Sequence, residues 1–186
     1  MVYFTLYKYV QETVNNVDVK IKIKSTVTDL ALAEKYTASL KDGYFRNDNG
    51  ERLPYEMMKD ECDEVIEYTA RGEYREENGK AYISYKEPEE IGLDCVTMLI
   101  FSLENKNVVT MTRSGELSAA FCFDPEVKRQ RCTYETPYMP VELTINTKKV
   151  ANNVTDKGGA MLLDYCIEIR GVNTERNKLF IKVSPI

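Results

Sequence analysis

The chain has 186 residues, an apolar fraction of 43% and a formal net charge of −5. That is enough chain and apolar content for one globular domain with a sizeable core, and the acidic balance argues against a nucleic-acid partner held through its phosphates. The absence of histidine removes the commonest neutral-pH base and zinc ligand, and any Ser-His-Asp triad within the chain, while leaving carboxylate and lysine chemistry open.

Cys62, Cys95, Cys122, Cys132 and Cys166 are odd in number and include no CxxC pair. They read as buried free thiols, not as a disulfide framework or a zinc site. The start of the chain lacks the pattern of a signal peptide, and no apolar run is long enough to span a membrane. With the free thiols, this predicts a cytoplasmic protein.

Residues 2–10, with Tyr3, Phe4, Tyr7 and Tyr9 as anchors, suit a short strand or a cap. A strand follows, in which Val17, Val19, Ile21, Ile23, Ser25 and Val27 alternate with a row that includes Lys20, Lys22 and Lys24. That row reads as a solvated face or as protection of a sheet edge.

Residues 29–61 break the rhythm and predict a partly helical insertion. Thr28 or Asp29 is placed to cap a helix carrying Leu30, Ala33, Thr37 and Leu40, and Gly43 to end it. A turn is expected over 47–50 and a second short helix over 53–60. The turn has too few oxygen ligands at the right offsets for calcium.

From Cys62 onward, strand follows strand. Ile66, Tyr68, Ala70 and Tyr74 share one face, and Asn78-Gly79 marks a hairpin into Ala81, Ile83 and Tyr85. In residues 95–103 both faces are largely apolar, which implies a cover over the outer one. Turns are expected at 105–107, at Ser114-Gly115 and at Asp124-Pro125. Lys128, Arg129 and Arg131 read as a basic loop, Pro137 and Pro140 as a bend, and residues 148–160 as a long polar loop between the strand of Val141, Leu143 and Ile145 and the strand of Met161, Leu163, Tyr165 and Ile167. The last strand carries Leu179, Ile181 and Val183. Eight to ten short-linked strands in one domain, residues 1–186, predict an all-β antiparallel meander closing into a barrel, with a two-sheet sandwich as the alternative.

Tyr82-Ile83-Ser84-Tyr85-Lys86-Glu87, Arg113-Ser114-Gly115, Tyr134-Glu135-Thr136-Pro137, Thr147 and Asp156 through Gly159 occur in this order. Together they resemble the YwiB-like family of small uncharacterised bacterial proteins, over about residues 17–184. The resemblance implies a calycin-type, lipocalin-like barrel in a bacterial cytoplasm, and no particular reaction. The chain departs from that pattern in the 29–61 segment, at Asp124-Pro125-Glu126 and at Pro137-Tyr138-Met139-Pro140.

A barrel of this size encloses one small ligand or is filled by its own side chains. Arg113 shares the parity of Val109 and Met111, which points it inward, where its planar fork suits a ligand carboxylate or phosphate. The alternative places it at the barrel end beside Gly115, paired with Glu87 or Glu116. Tyr85 and Tyr134 offer an aromatic wall and a hydroxyl each, or serve as ordinary core residues. Glu87, Glu89 and Glu90 form an acidic run that reads as a solvated loop rather than a hydrolytic pair. The expected function is non-enzymatic binding of a small apolar or amphipathic anion through Arg113, Tyr85, Tyr134 and Glu87. The alternative is a scaffold with a filled interior and a protein partner or a homodimer. An enzyme would need two convergent ionisable groups that the pattern does not reveal, and no metal or cofactor is implied.

Overall fold

A computed structural model of the protein describes residues 15–34, 45–46, 52–53, 63–91 and 94–186. Alternation in the sequence becomes alternation of burial in β1 (Asn15–Asp29), where Val19, Ile21 and Ile23 are buried and Lys20, Lys22 and Lys24 are exposed. Side chains two apart point the same way along a strand, so one face is withdrawn from water and the other keeps its charges hydrated. At its end Asp29 accepts a hydrogen bond from the Leu32 N–H at 2.9 Å, the geometry of a helix N-cap, and residues 30–34 are helical.

Short β2 (Phe45–Arg46) and β3 (Arg52–Leu53) pair with each other. Leu53 is therefore in a strand, not at the start of a helix. The expected segment 2–10, the helix end at Gly43, the turn over 47–50, the rest of the second helix, and Cys62 lie outside the described residues.

The remaining strands are β4 (Asp63–Glu77), β5 (Lys80–Lys86), β6 (Cys95–Ser102), β7 (Val109–Gly115), β8 (Ser118–Phe123), β9 (Arg129–Glu135), β10 (Pro140–Asn152), β11 (Gly159–Ile169) and β12 (Val172–Pro185). Each pairs antiparallel with the next. β1 lies between β4 and β12 and closes a ten-stranded barrel. The all-β barrel is thus as expected, and the sandwich is not formed. Because β1 is paired on both sides, its lysine row guards no edge.

Asn78 and Gly79 both take positive φ, 52° and 73°, which is what a two-residue turn needs to match the twist of its strands. Elsewhere the strands run longer than the sequence suggests. β7 continues through Ser114 and Gly115, so the turn falls at 116–117. Gly115 has φ 139°, and a Cβ there would lie 2.9 Å from the Cys95 Cα, so only glycine lets the strand end this close to β6. Arg129 and Arg131 belong to β9, not to a loop. β10 extends to Asn152, with a register shift between Thr147 and Lys149, so the polar loop shrinks to the turn after it. The expected cover over the outer face of β6 is partial: Met98 and Ile100 are half-buried, but Val96 is 43% exposed.

One end of the barrel is solid. Tyr74, Phe101, Phe123, Leu99, Met161 and Ile181 are fully buried there, each side chain contributing roughly 1.5–3 kcal/mol on burial. Buried Val154 closes that end. Its carbonyl accepts from Lys106 Nζ at 2.8 Å, and Asn152 Nδ2 donates to the Lys106 carbonyl at 3.2 Å.

Candidate functional site

Toward the other end, where β5 ends and β6 begins, the interior is hollow. The cavity has a volume of about 380 Å³, within the size range of small-molecule pockets. Ile23, Ile66, Met111, Phe121, Leu143, Ile167 and Leu179 give it apolar walls. Tyr68, Tyr85, Tyr134, Tyr165, Ser25, Thr97, Glu87 and Arg113 supply its polar groups.

Strand register assembles the polar cluster. The Glu87 N–H donates to the Cys95 carbonyl at 2.9 Å, extending the β5–β6 ladder one step past the strand end. This keeps Glu87 on the inward face of Tyr85. Tyr85 pairs with Thr97, and Thr97 with Arg113. Arg113 pairs with Ala119, which pairs with Tyr134. Alanine at that intervening position leaves room for the guanidinium to reach across β8.

Arg113 Nε donates to Glu87 Oε1 at 2.8 Å, and its terminal nitrogens donate to Glu87 Oε2 and to the Tyr134 hydroxyl, the latter at 3.1 Å. Thr97 Oγ1 donates to Glu87 Oε1 at 2.6 Å. Glu87 is 5% exposed and the Arg113 side chain 20%. Burial works against the arginine charge, but the hydrogen bonds and charge of Glu87 outweigh it and raise the Arg113 pKa above its ordinary value. A fork-to-fork pair of this kind satisfies a buried carboxylate that would otherwise be costly.

The tyrosines form the rest of the wall. The Tyr68 and Tyr85 hydroxyl oxygens are 3.5 Å apart, and the Phe121 and Tyr134 rings stack with centroids 6.1 Å apart. Burial raises the pKa of Tyr68, Tyr85 and Tyr165, so all three are neutral at physiological pH. Tyr165 stands in register between Thr147 and Asn177, whose Oγ1 and Nδ2 are buried without a partner among the described residues.

All four residues singled out from the sequence therefore line one cavity. Of the two placements open to Arg113, the structure supplies elements of both: it pairs with Glu87 and it faces the interior. The acidic run divides, because Glu89 and Glu90 are exposed on a 3-10 turn, Glu89–Ile91, while Glu87 is buried. Thr97 was not singled out, although its place on the face of Cys95 and Leu99 marks it as an inward polar group. The basic patch also breaks up, since Arg129 on β9 reaches across β10 to pair with buried Glu168 on β11 at 2.5 Å. Among the described residues no three of Cys, Asp and Glu converge as a metal site. The described cysteines are free, and no described helix is long and apolar enough to cross a membrane.

The class defined by these features is a closed antiparallel barrel, solid at one end, with a ligand-sized hollow and a polar cluster on its wall. Residues 52–181 match the domain of unknown function DUF1934, and the chain belongs to that family. The ywiB protein from Bacillus subtilis, known from a crystal structure, shares the fold with a TM-score of 0.63 at 17% identity, over 92% of this chain and 93% of that one. The expected kinship with YwiB-like proteins is borne out. No curated protein matches the chain.

Proposed function

We propose that the protein binds a small, largely apolar molecule inside the barrel, with the polar end of that molecule against Arg113, Tyr134 and the neighbouring tyrosines. The observation that carries this reading is the hollow itself, about 380 Å³, bounded by apolar side chains on most sides and by one organised polar cluster. A filled scaffold would leave no such space. At ~30 Å³ per water-sized group, the hollow suits a ligand of about a dozen non-hydrogen atoms. The one hydroxyl in the cluster that donates to a carboxylate, Thr97 to Glu87, meets a base already held in the ion pair with Arg113, so binding without chemistry is the simpler reading.

A contact role has its own support in Tyr138 and Met139, 95% and 64% exposed. Thr136 Oγ1 holds their loop by accepting from both of their N–H groups and donating to the Met139 carbonyl. This loop joins β9 to β10 at the hollow end, an apolar tip suited to a protein partner or a second copy.

Native mass spectra before and after incubation with nonanol test both readings together. We expect a discrete adduct on the wild type that Leu143→Trp, which plugs the cavity, abolishes while circular dichroism is retained. The same adduct on both proteins, or none on either, would remove the cavity as a binding place. A dimer that Tyr138→Ser dissociates would support the contact reading.

A further inference from the structure

We propose that the polar end of the bound molecule is uncharged, an amide, ester or alcohol rather than a carboxylate or phosphate. This rests on the binding reading above and narrows it. Arg113 is the only cation among the described residues that line the cavity, and its charge is already matched. Glu87 takes one whole edge of the guanidinium fork, Nε and one terminal nitrogen, and Tyr134 takes an N–H of the other terminal nitrogen. Thr97 donates at 2.6 Å to Oε1, the oxygen that also accepts from Arg113 Nε, so a third hydrogen bond holds Glu87 in place against the arginine.

A second anion would therefore enter beside a carboxylate that is 5% exposed. Like charges brought together where water cannot screen them repel strongly, and Arg113 has only one charge to share between two anions. The groups left to meet a ligand carry no unmatched charge. Two guanidinium N–H bonds remain uncommitted, the Tyr165 hydroxyl has no partner among the described residues, and Tyr68 and Tyr85 meet each other at the long distance of 3.5 Å. Donors of this kind suit a carbonyl or hydroxyl oxygen. In the cluster, the ion pair acts as a fixed dipole that orients the head group, not as a charge that captures it.

Isothermal titration of the intact protein with nonanamide and with nonanoate at neutral pH decides the matter, because the two probes differ little except in charge. The amide should bind at least about ten-fold more tightly. Glu87→Gln, which keeps the shape but frees the guanidinium, should invert that order in favour of nonanoate. Nonanoate binding the wild type as well as the amide would overturn the inference while leaving the cavity reading intact. Failure of both probes to bind would overturn the two together. The wild-type ratio is decisive even where Glu87→Gln does not fold.

Discussion

Asp164 illustrates how a charge on the wet face of a strand is brought under cover. It sits on the outer face of β11, yet it is 8% exposed, because Arg176 reaches diagonally from β12 and donates Nε and a terminal nitrogen to its two oxygens at 3.0 and 2.8 Å. Those hydrogen bonds lower the Asp164 pKa. A depressed carboxyl pKa contributes stability that is present above the unfolded value, ~3.9, and is lost as pH falls through the folded value. Asp164→Asn should therefore cost about 1 kcal/mol near neutrality, a modest figure because Arg176 is half in water. In urea unfolding, the difference from wild type should shrink as pH falls below ~3.9 and vanish below the folded value. A constant difference across that range would mean that packing, not charge, holds Asp164.

At the same scale, parity pointed Arg113 and Tyr85 to the inner face without a structure, whereas Tyr134 was singled out from its motif and its phenol alone. What parity does not reveal is partnership. The Glu87–Arg113 pair joins residues on strands that are not neighbours in sequence, and Glu87 looked like one member of a solvated run because Glu89 and Glu90 follow it. The informative sign was its spacing of two from Tyr85, which survives past the strand end only because the Glu87 N–H still bonds to Cys95.

Among the elements, β4 depends on a residue with no side chain. Gly72 faces inward between Val19 and Tyr85. A Cβ there would clash with the Ser84 carbonyl and lie 2.8 Å from the Ile21 Cδ1 and 3.0 Å from the Tyr85 Cβ. Backbone cannot step aside as the end of a flexible side chain can, so the ladder itself would shift. Gly72→Ala should lower stability by about 2 kcal/mol or more, read as a fall in melting temperature of roughly 4–8 °C. It should also weaken ligand binding, because Tyr85 lies on the cavity wall. An unchanged melting temperature would show that β4 and β5 have slack the register does not suggest. Strand identity was legible from period-two alternation. Strand ends were not: β7 and β10 run on through glycine and polar residues because their neighbours offer unpaired backbone groups, and pairing outweighs local propensity.

For the whole molecule, the buried phenols set an alkaline limit. Tyr74, Tyr85 and Tyr165 have pKa values raised by burial, as does Tyr68 more modestly. Their neutral forms favour the folded state, so this contribution is intact below the unfolded value, ~10, and is lost as pH rises through the folded values. The share of the phenolate absorbance that belongs to these four of the 13 tyrosines should appear together with the loss of far-ultraviolet circular dichroism, in a late step above about pH 10. Early ionisation of Tyr68, Tyr85 or Tyr165 with the fold retained would show that water already reaches the hollow end freely.

The seal formed by β1 has a consequence for how the chain reaches this shape. Ile23 pairs on one side with Tyr68 and on the other with Ile181. The hairpins from β4 to β12 can zip up locally as they leave the ribosome, but the staves of the barrel close only when the most distant strand of the meander returns to β1. Closing so long a loop is entropically the last and slowest event. Until then both β1 and β12 are open borders able to recruit a strand from another chain. The lysine row on β1, idle as an edge guard once the barrel is shut, stands on that border while the wait lasts, and its like charges discourage two unfinished molecules from sealing each other.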